Sequence, residues 1–201
     1  MTKMLSRVSD PSTEDDEIFQ RLVTAPDLLV VCDFEGTLAD LCGDGAVPID
    51  GSMRVVSDLA ALPKTSVAII AHDSVAHLRA GGRDGLSDLV TIIERCTVED
   101  LDDDTEASRS FQSPRKDLAV DALLAECSPS LIFFAGDDES DEPVFAALGI
   151  DDISCKIGDG ATCATMRMRR PVDLIVFLQR VLNQRRAVNK PRRRAATHAT
   201  A

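Results

Sequence analysis

Tryptophan and tyrosine are absent from the 201 residues, and aromatic residues make up only 3% of them. The core therefore has to come from Leu, Val, Ile and Ala, a composition that suits helices packed on a parallel sheet. The longest apolar runs, LLVV, SVAIIA and LIFFA, fall far short of the ~20 residues that cross a bilayer. The N-terminal stretch MTKMLSRVSDPSTEDDE also lacks the apolar centre of a secretory signal. A soluble, cytoplasmic protein without membrane association is the expectation.

Paired cysteine motifs are missing too. Cys32, Cys42, Cys96, Cys127, Cys155 and Cys163 form no CxxC pair and have no histidine at zinc spacing. Cys32, Cys127 and Cys155 sit beside apolar segments, which marks them as reduced thiols used as small core residues. Acids are missing after Asp173, whereas residues 180–201 hold seven bases. Without those seven, 15 bases face 34 acids, a net charge of −19 for the body against −12 for the whole chain. Such a body repels nucleic acid, so any weak contact with RNA or an anionic surface falls to the basic tail.

The chain has the length of one ordinary domain with short extensions. Its segmentation predicts an N-terminal extension over 1–25, a core over 26–187 and a basic tail over 188–201. Residues 1–12 read as disordered and Thr13 as the cap of a short acidic-fronted helix. Short β-rich runs then alternate with helical patterns. Strands are predicted at LLVVCDF (28–34), SVAIIA (66–71), LVTIIERC (89–96), LIFFAGD (131–137) and DISCKIG (152–158). Helices are predicted at 52–62, 74–82, 115–126, 141–149 and 171–184. Ser52 reads as an N-cap, Gly81 and Gly149 as left-handed C-caps, and Pro171 as a first-turn residue. This alternation is that of a doubly wound, Rossmann-like parallel α/β sheet.

Sheets of this kind bind ligands beyond the carboxyl ends of their strands. The residues falling there are Asp33 and Glu35, then His72, Asp73 and Ser74, then Asp137, Asp138 and Asp141, with Lys116 opening a helix between the last two groups. Aspartate is common in any strand-end turn, and one such turn would mean little. Several acids meeting at one edge repel one another unless a cation neutralises them, which points to Mg²⁺ and to a phosphate substrate. His77 and His198 have no such placement.

The stretch VCDFEGTLAD resembles the DxDx[TV] motif of the haloacid dehalogenase-like (HAD) phosphohydrolases. GDDESDEPVFAAL is similar to the GDDxTDExxF motif of the trehalose-6-phosphate phosphatases within that superfamily. SVAIIAHDSVAHL, SPRKDLAVDALL and KIGDGATCATMRMRRPVDLIVFLQRVL resemble three further segments of those enzymes, in the right order across residues 28–183. The resemblance implies Asp33 as the nucleophile, Glu35 as acid and base, and Lys116 as the cation that neutralises nucleophile and phosphate. It implies Asp33, Asp137 and Asp141 as Mg²⁺ residues, and Gly36, Thr37 and Ser74 around the phosphate of a small molecule such as a sugar phosphate.

Three departures accompany the resemblance. Those phosphatases have aspartate where Glu35 stands, and the extra methylene shifts its oxygens by about one C–C bond; misplacement of ~1 Å can cost ~10²-fold in rate. Their phosphate-holding Ser or Thr corresponds to Ala71. Their cap domain has no room here, because Ser74 to Arg115 is only 42 residues. Without a cap, either a larger substrate or a protein partner covers the open site. Two expectations follow: a Mg²⁺-dependent phosphomonoesterase, or a catalytically weak relative that binds a sugar phosphate or a protein in a regulatory role. A phosphoacceptor receiver also uses strand-end acids and a lysine, but accounts poorly for GDDESDE following the lysine.

Overall fold

The computed structural model describes residues 11–42, 45–71, 86–94 and 116–189. Six strands form one sheet: β1 (Leu28–Asp33), β4 (Thr65–Ala71), β5 (Val90–Glu94), β6 (Leu131–Gly136), β7 (Ile153–Ile157) and β8 (Met166–Met168). Their order is β5-β4-β1-β6-β7-β8, and every neighbouring pair runs parallel. A separate antiparallel hairpin, β2 (Ala39–Cys42) with β3 (Gly45–Pro48), follows β1. The chain therefore winds outward from β1 to β5 on one side, then returns to place β6 on the other. The switch point at the end of β1 is where such sheets leave a crevice.

Burial on both faces explains why β1, β4 and β6 read as continuous apolar runs. Leu28, Val30 and Cys32 face one layer, with α1 (Pro11–Thr24), α2 (Ser52–Ala60) and α5 (Pro171–Val188). Leu29 and Val31 face the other, with Val120 and Leu123 of α3 (Lys116–Cys127) and Val144 and Phe145 of α4 (Glu142–Ala147). Aromatic pairs close both layers: Phe177 of α5 has its ring centroid 6.0 Å from those of both Phe19 of α1 and Phe133 of β6, and on the other face the ring of Phe134 of β6 stands 5.6 Å from that of Phe145 of α4. Cys32 and Cys155 are fully buried thiols, and Cys127 is half-buried and free. Cys96 lies outside the described residues.

A buried cation secures α1. Arg185, 2% exposed, donates to the carbonyls of Leu22 at 2.7 Å, Val23 at 3.2 Å, Ala25 at 3.1 Å and Lys64 at 3.2 Å, and to Thr65 Oγ1 at 3.1 Å. The Leu22 and Val23 carbonyls belong to the last turn of α1, which leaves them without intrahelical partners, while Lys64 directly precedes β4 and Thr65 opens it. One planar guanidinium satisfies them from α5.

Several sequence expectations shift at element ends. α1 begins at Pro11, ahead of Thr13. Gly51, at φ 80°, is the N-cap of α2, and Ser52 is its first helical residue with a buried Oγ that finds no partner. Gly149 is not left-handed: α4 ends at Ala147 with an extended Leu148 as its cap. Pro171 does open α5. The predicted helix over 74–82 with Gly81, and most of the stretch between Ser74 and Arg115, lie outside the described residues, as does the tail from 190 on. No helix among the described residues is long and apolar enough to cross a membrane.

Candidate active site at the switch point

β1 delivers Asp33 to the crevice and the chain then turns sharply. The carbonyl of Phe34 accepts from the amides of Thr37, Leu38 and Ala39 at 3.3, 2.9 and 2.9 Å. Gly36 makes the bend at φ 79°, a conformation that side chains rarely adopt. β6, hydrogen-bonded to β1 in parallel register, delivers Asp137 just beyond Gly136. The following 3₁₀ turn, Glu139–Asp141, folds Asp141 back toward the sheet.

Carboxylate oxygens of Asp33, Asp137 and Asp141 lie within 4.8 Å of one another. Asp33 lies 104 positions before Asp137 in the sequence, and the two meet because β1 and β6 are neighbours, while Asp141 follows Asp137 by four residues. Both glycines are needed for the approach: a Cβ on Gly36 would stand 2.2 Å from Asp137 Oδ2, and one on Gly136 2.2 Å from Asp141 Cγ.

Lys116, the first residue of α3, is 3% exposed and places Nζ 2.6 Å from Asp33 Oδ1 and 2.7 Å from Asp141 Oδ1. Thr37, fully buried, donates its hydroxyl to Asp137 Oδ1 at 3.2 Å, so it orients that carboxylate. Asp141 accepts on its other oxygen from the amide of Asp138 at 3.1 Å. Asp138 itself caps the turn, accepting from the amide and hydroxyl of Ser140 at 2.8 and 2.6 Å, and stands 3.7 Å from Lys116. Glu35 is half-buried and bridges in backbone to Ala39. Ala71, at the end of β4, is buried and offers only a methyl group. His72, Asp73 and Ser74 lie outside the described residues.

The electrostatics show more negative charge than the lysine neutralises. Burial pushes the Asp33 carboxyl well above the usual range; Lys116 opposes this and Asp141 adds to it. Burial likewise lifts Asp141 to about 6 against the pull of Lys116, and lifts Asp137 with help from Asp138. For Lys116, burial would lower the pKa, but the carboxylates of Asp33 and Asp141 outweigh it and the result is a rise. Asp138 goes the other way: burial works against it, but the Ser140 hydrogen bond and Lys116 hold it below the usual range. A pocket of three crowded carboxylates with oxygen donors only is chemically matched to a hard divalent cation. Asp33, Asp137 and Asp141 would hold it.

One contributor carried no sequence signal beyond its own oddity. Lys156 sits within the otherwise uncharged strand ISCKI, 4% exposed, and donates Nζ to the backbone carbonyls of Asp137 at 2.6 Å and Asp138 at 3.2 Å. A single lysine inside a fully buried strand is the clue that could have found it.

The six-stranded parallel sheet with helices on both faces is a doubly wound, Rossmann-like α/β fold. Within that class the fold is that of the trehalose-6-phosphate phosphatases. A solved trehalose-6-phosphate phosphatase of Aspergillus fumigatus matches with a TM-score of 0.68 at 16% identity, covering 87% of this chain and 100% of that one. The C-terminal domain of the C. albicans trehalose-6-phosphate phosphatase matches with a TM-score of 0.59 at 13% identity, covering 89% and 99%. A trehalose-6-phosphate phosphatase related protein matches at 0.51 and 15%, covering 81% and 100%. No protein-family model and no curated protein sequence matches the chain.

Proposed function

We propose that this protein is a Mg²⁺-dependent phosphomonoesterase related to the trehalose-6-phosphate phosphatases, acting on a phosphorylated small molecule such as a sugar phosphate. The observation that carries the proposal is the convergence of Asp33, Asp137 and Asp141 within 4.8 Å, with Lys116 bonded to two of them. The structural neighbours named above supply the substrate to try first, and with it a place in trehalose biosynthesis.

In this reading an oxygen of Asp33 forms a bond to phosphorus as the ester P–O bond breaks, and the departing alkoxide takes a proton from Glu35. Glu35, now ionised, removes a proton from water; that water attacks phosphorus, the acyl-phosphate bond breaks, and inorganic phosphate leaves with Asp33 regenerated. Lys116 stabilises Asp33 as a carboxylate, the form required for attack, and offsets charge on the phosphoryl group. Thr37 and Gly36 fix Asp137 and the turn. Magnesium, when bound, supplies further charge neutralisation at the phosphoryl oxygens.

Ala71 and the length of Glu35 favour a second reading: a catalytically weak member of this fold that binds a sugar phosphate or a protein partner covering the open site. Turnover of p-nitrophenyl phosphate and trehalose 6-phosphate, with Mg²⁺ and with EDTA, separates the two. Metal-dependent turnover that Asp33→Asn abolishes supports the enzyme. A rise on Glu35→Asp identifies side-chain length as the limit. Absence of turnover in the wild type and in Glu35→Asp leaves the binding protein.

A further inference from the structure

We infer that Lys156 is a positioning residue for the divalent-cation site, fixing the Asp137–Asp141 loop through its backbone; this rests on the metal-dependent reading above. The parallel register of β6 and β7 sets Lys156 directly beside Gly136, the last residue before the loop. From there its ammonium reaches the carbonyls of both Asp137 and Asp138. The third side of the ammonium faces Glu142 Oε1 at 3.9 Å. Glu142 is itself tied down, accepting on Oε2 from the amide of Cys163 at 2.9 Å. The loop is therefore held from two directions. Lys116 grips it by the Asp141 carboxylate and Lys156 by the main chain at Asp137 and Asp138.

The two conceivable roles of this lysine have opposite signs. As a nearby positive charge it repels a cation, so removing it would tighten metal binding. As a clamp on the two carbonyls it keeps Asp137 in place, so removing it would loosen metal binding. Coulomb repulsion from this ammonium is offset by the Glu142 carboxylate beside it at 3.9 Å. Loss of the clamp leaves the part-buried carbonyls of Asp137 and Asp138 without this donor and frees the residue that carries a ligand, and outer-shell changes of this kind cost ~10–100-fold in metal affinity. The clamp dominates.

The test is the Mn²⁺ dissociation constant of the full chain by electron paramagnetic resonance, with Mn²⁺ as a stand-in for Mg²⁺, for wild type, Lys156→Met, Lys156→Gln and Lys156→Arg. Circular dichroism melts confirm that each variant is folded. Lys156→Met is expected to weaken binding ~10-fold or more, although it removes a like charge. Lys156→Gln and Lys156→Arg, which keep N–H donors without and with the charge, are expected to recover part of the loss and serve as the test where Lys156→Met fails to fold. Unchanged or tighter binding in the folded variants overturns the inference while leaving the metal site intact. A wild-type chain that binds no Mn²⁺ overturns both.

Discussion

Gly136 offers the sharpest perturbation of the site, because a single methyl group there reports directly on how tightly Asp141 is packed. Its backbone is not left-handed, so alanine at this position meets no conformational objection, only a steric one. The added Cβ would lie 2.2 Å from Asp141 Cγ, 2.4 Å from Oδ2 and 2.6 Å from Oδ1. Carbon atoms rest ~3.5 Å or more apart, so the carboxylate or β6 must yield by more than about 1 Å. Asp141 has little freedom to yield, since one oxygen is bonded to Lys116 and the other to the amide of Asp138, and the residue is fully buried. Overpacking of this kind costs ~1–3 kcal/mol of stability. A shift of ~1 Å in a reacting constellation costs ~10²-fold in rate. Gly136→Ala is therefore expected to lower kcat/KM for p-nitrophenyl phosphate in Mg²⁺ by ~10²-fold and to weaken Mg²⁺ binding, with a smaller drop in Tm. Gly45→Ala is the control, because nothing lies within 4 Å of a Cβ there. Wild-type turnover and metal affinity in Gly136→Ala would refute the packing argument.

Three further outcomes concern Arg185, Asp141 and Thr37. Arg185→Met removes the guanidinium donor from the buried carbonyls of Leu22 and Val23 and from that of Ala25, and should cost ~3 kcal/mol or more in denaturant unfolding, with little recovery in Arg185→Lys, whose ammonium lacks the planar fork. Folded Asp141 holds its proton up to about pH 6, above its unfolded value, so its contribution to stability is present at low pH and is lost as pH rises through about 6. In EDTA the chain should therefore melt lower at pH 7.5 than at pH 5, Mg²⁺ should raise Tm more at pH 7.5, and both differences should shrink in Asp141→Asn. Thr37→Val removes the hydroxyl that holds Asp137 Oδ1 and should weaken Mg²⁺ binding in a calorimetric titration by ~10-fold, while Thr37→Ser should restore it.

The parts of this architecture that the sequence made legible are those with a strong local signature. β1, β4 and β6 are buried on both faces, so they appear as unbroken apolar runs with an acid or alanine at the end, and their strand-end residues could be collected before any coordinates. The hairpin β2–β3 was invisible because its residues are mostly exposed and include Asp40, Gly45 and Pro48, so no alternation of apolar and polar residues marks it. β8 was hidden by its length: only Met166–Met168 pair with β7, the two methionines packing on the core while Arg167 turns to the carbonyls of Gly158 and Gly160. The cap assignments at Ser52 and Gly149 failed because backbone geometry decided them, Gly51 turning in place of a side-chain cap and Leu148 ending α4 in an extended conformation. Lys156 was missed because its contacts are to main-chain carbonyls, which leave no pattern in a sequence.

Beryllofluoride, a tetrahedral mimic of a phosphoryl group bound to a carboxylate, tests the central claim without requiring rapid turnover. Fluorine NMR of the full chain with beryllofluoride should show one bound species that appears only with Mg²⁺ and vanishes in Asp33→Asn. A bound species that survives in Asp33→Asn, or none in the wild type with Mg²⁺, would contradict the assignment of Asp33 as the phosphoryl acceptor beside a divalent cation.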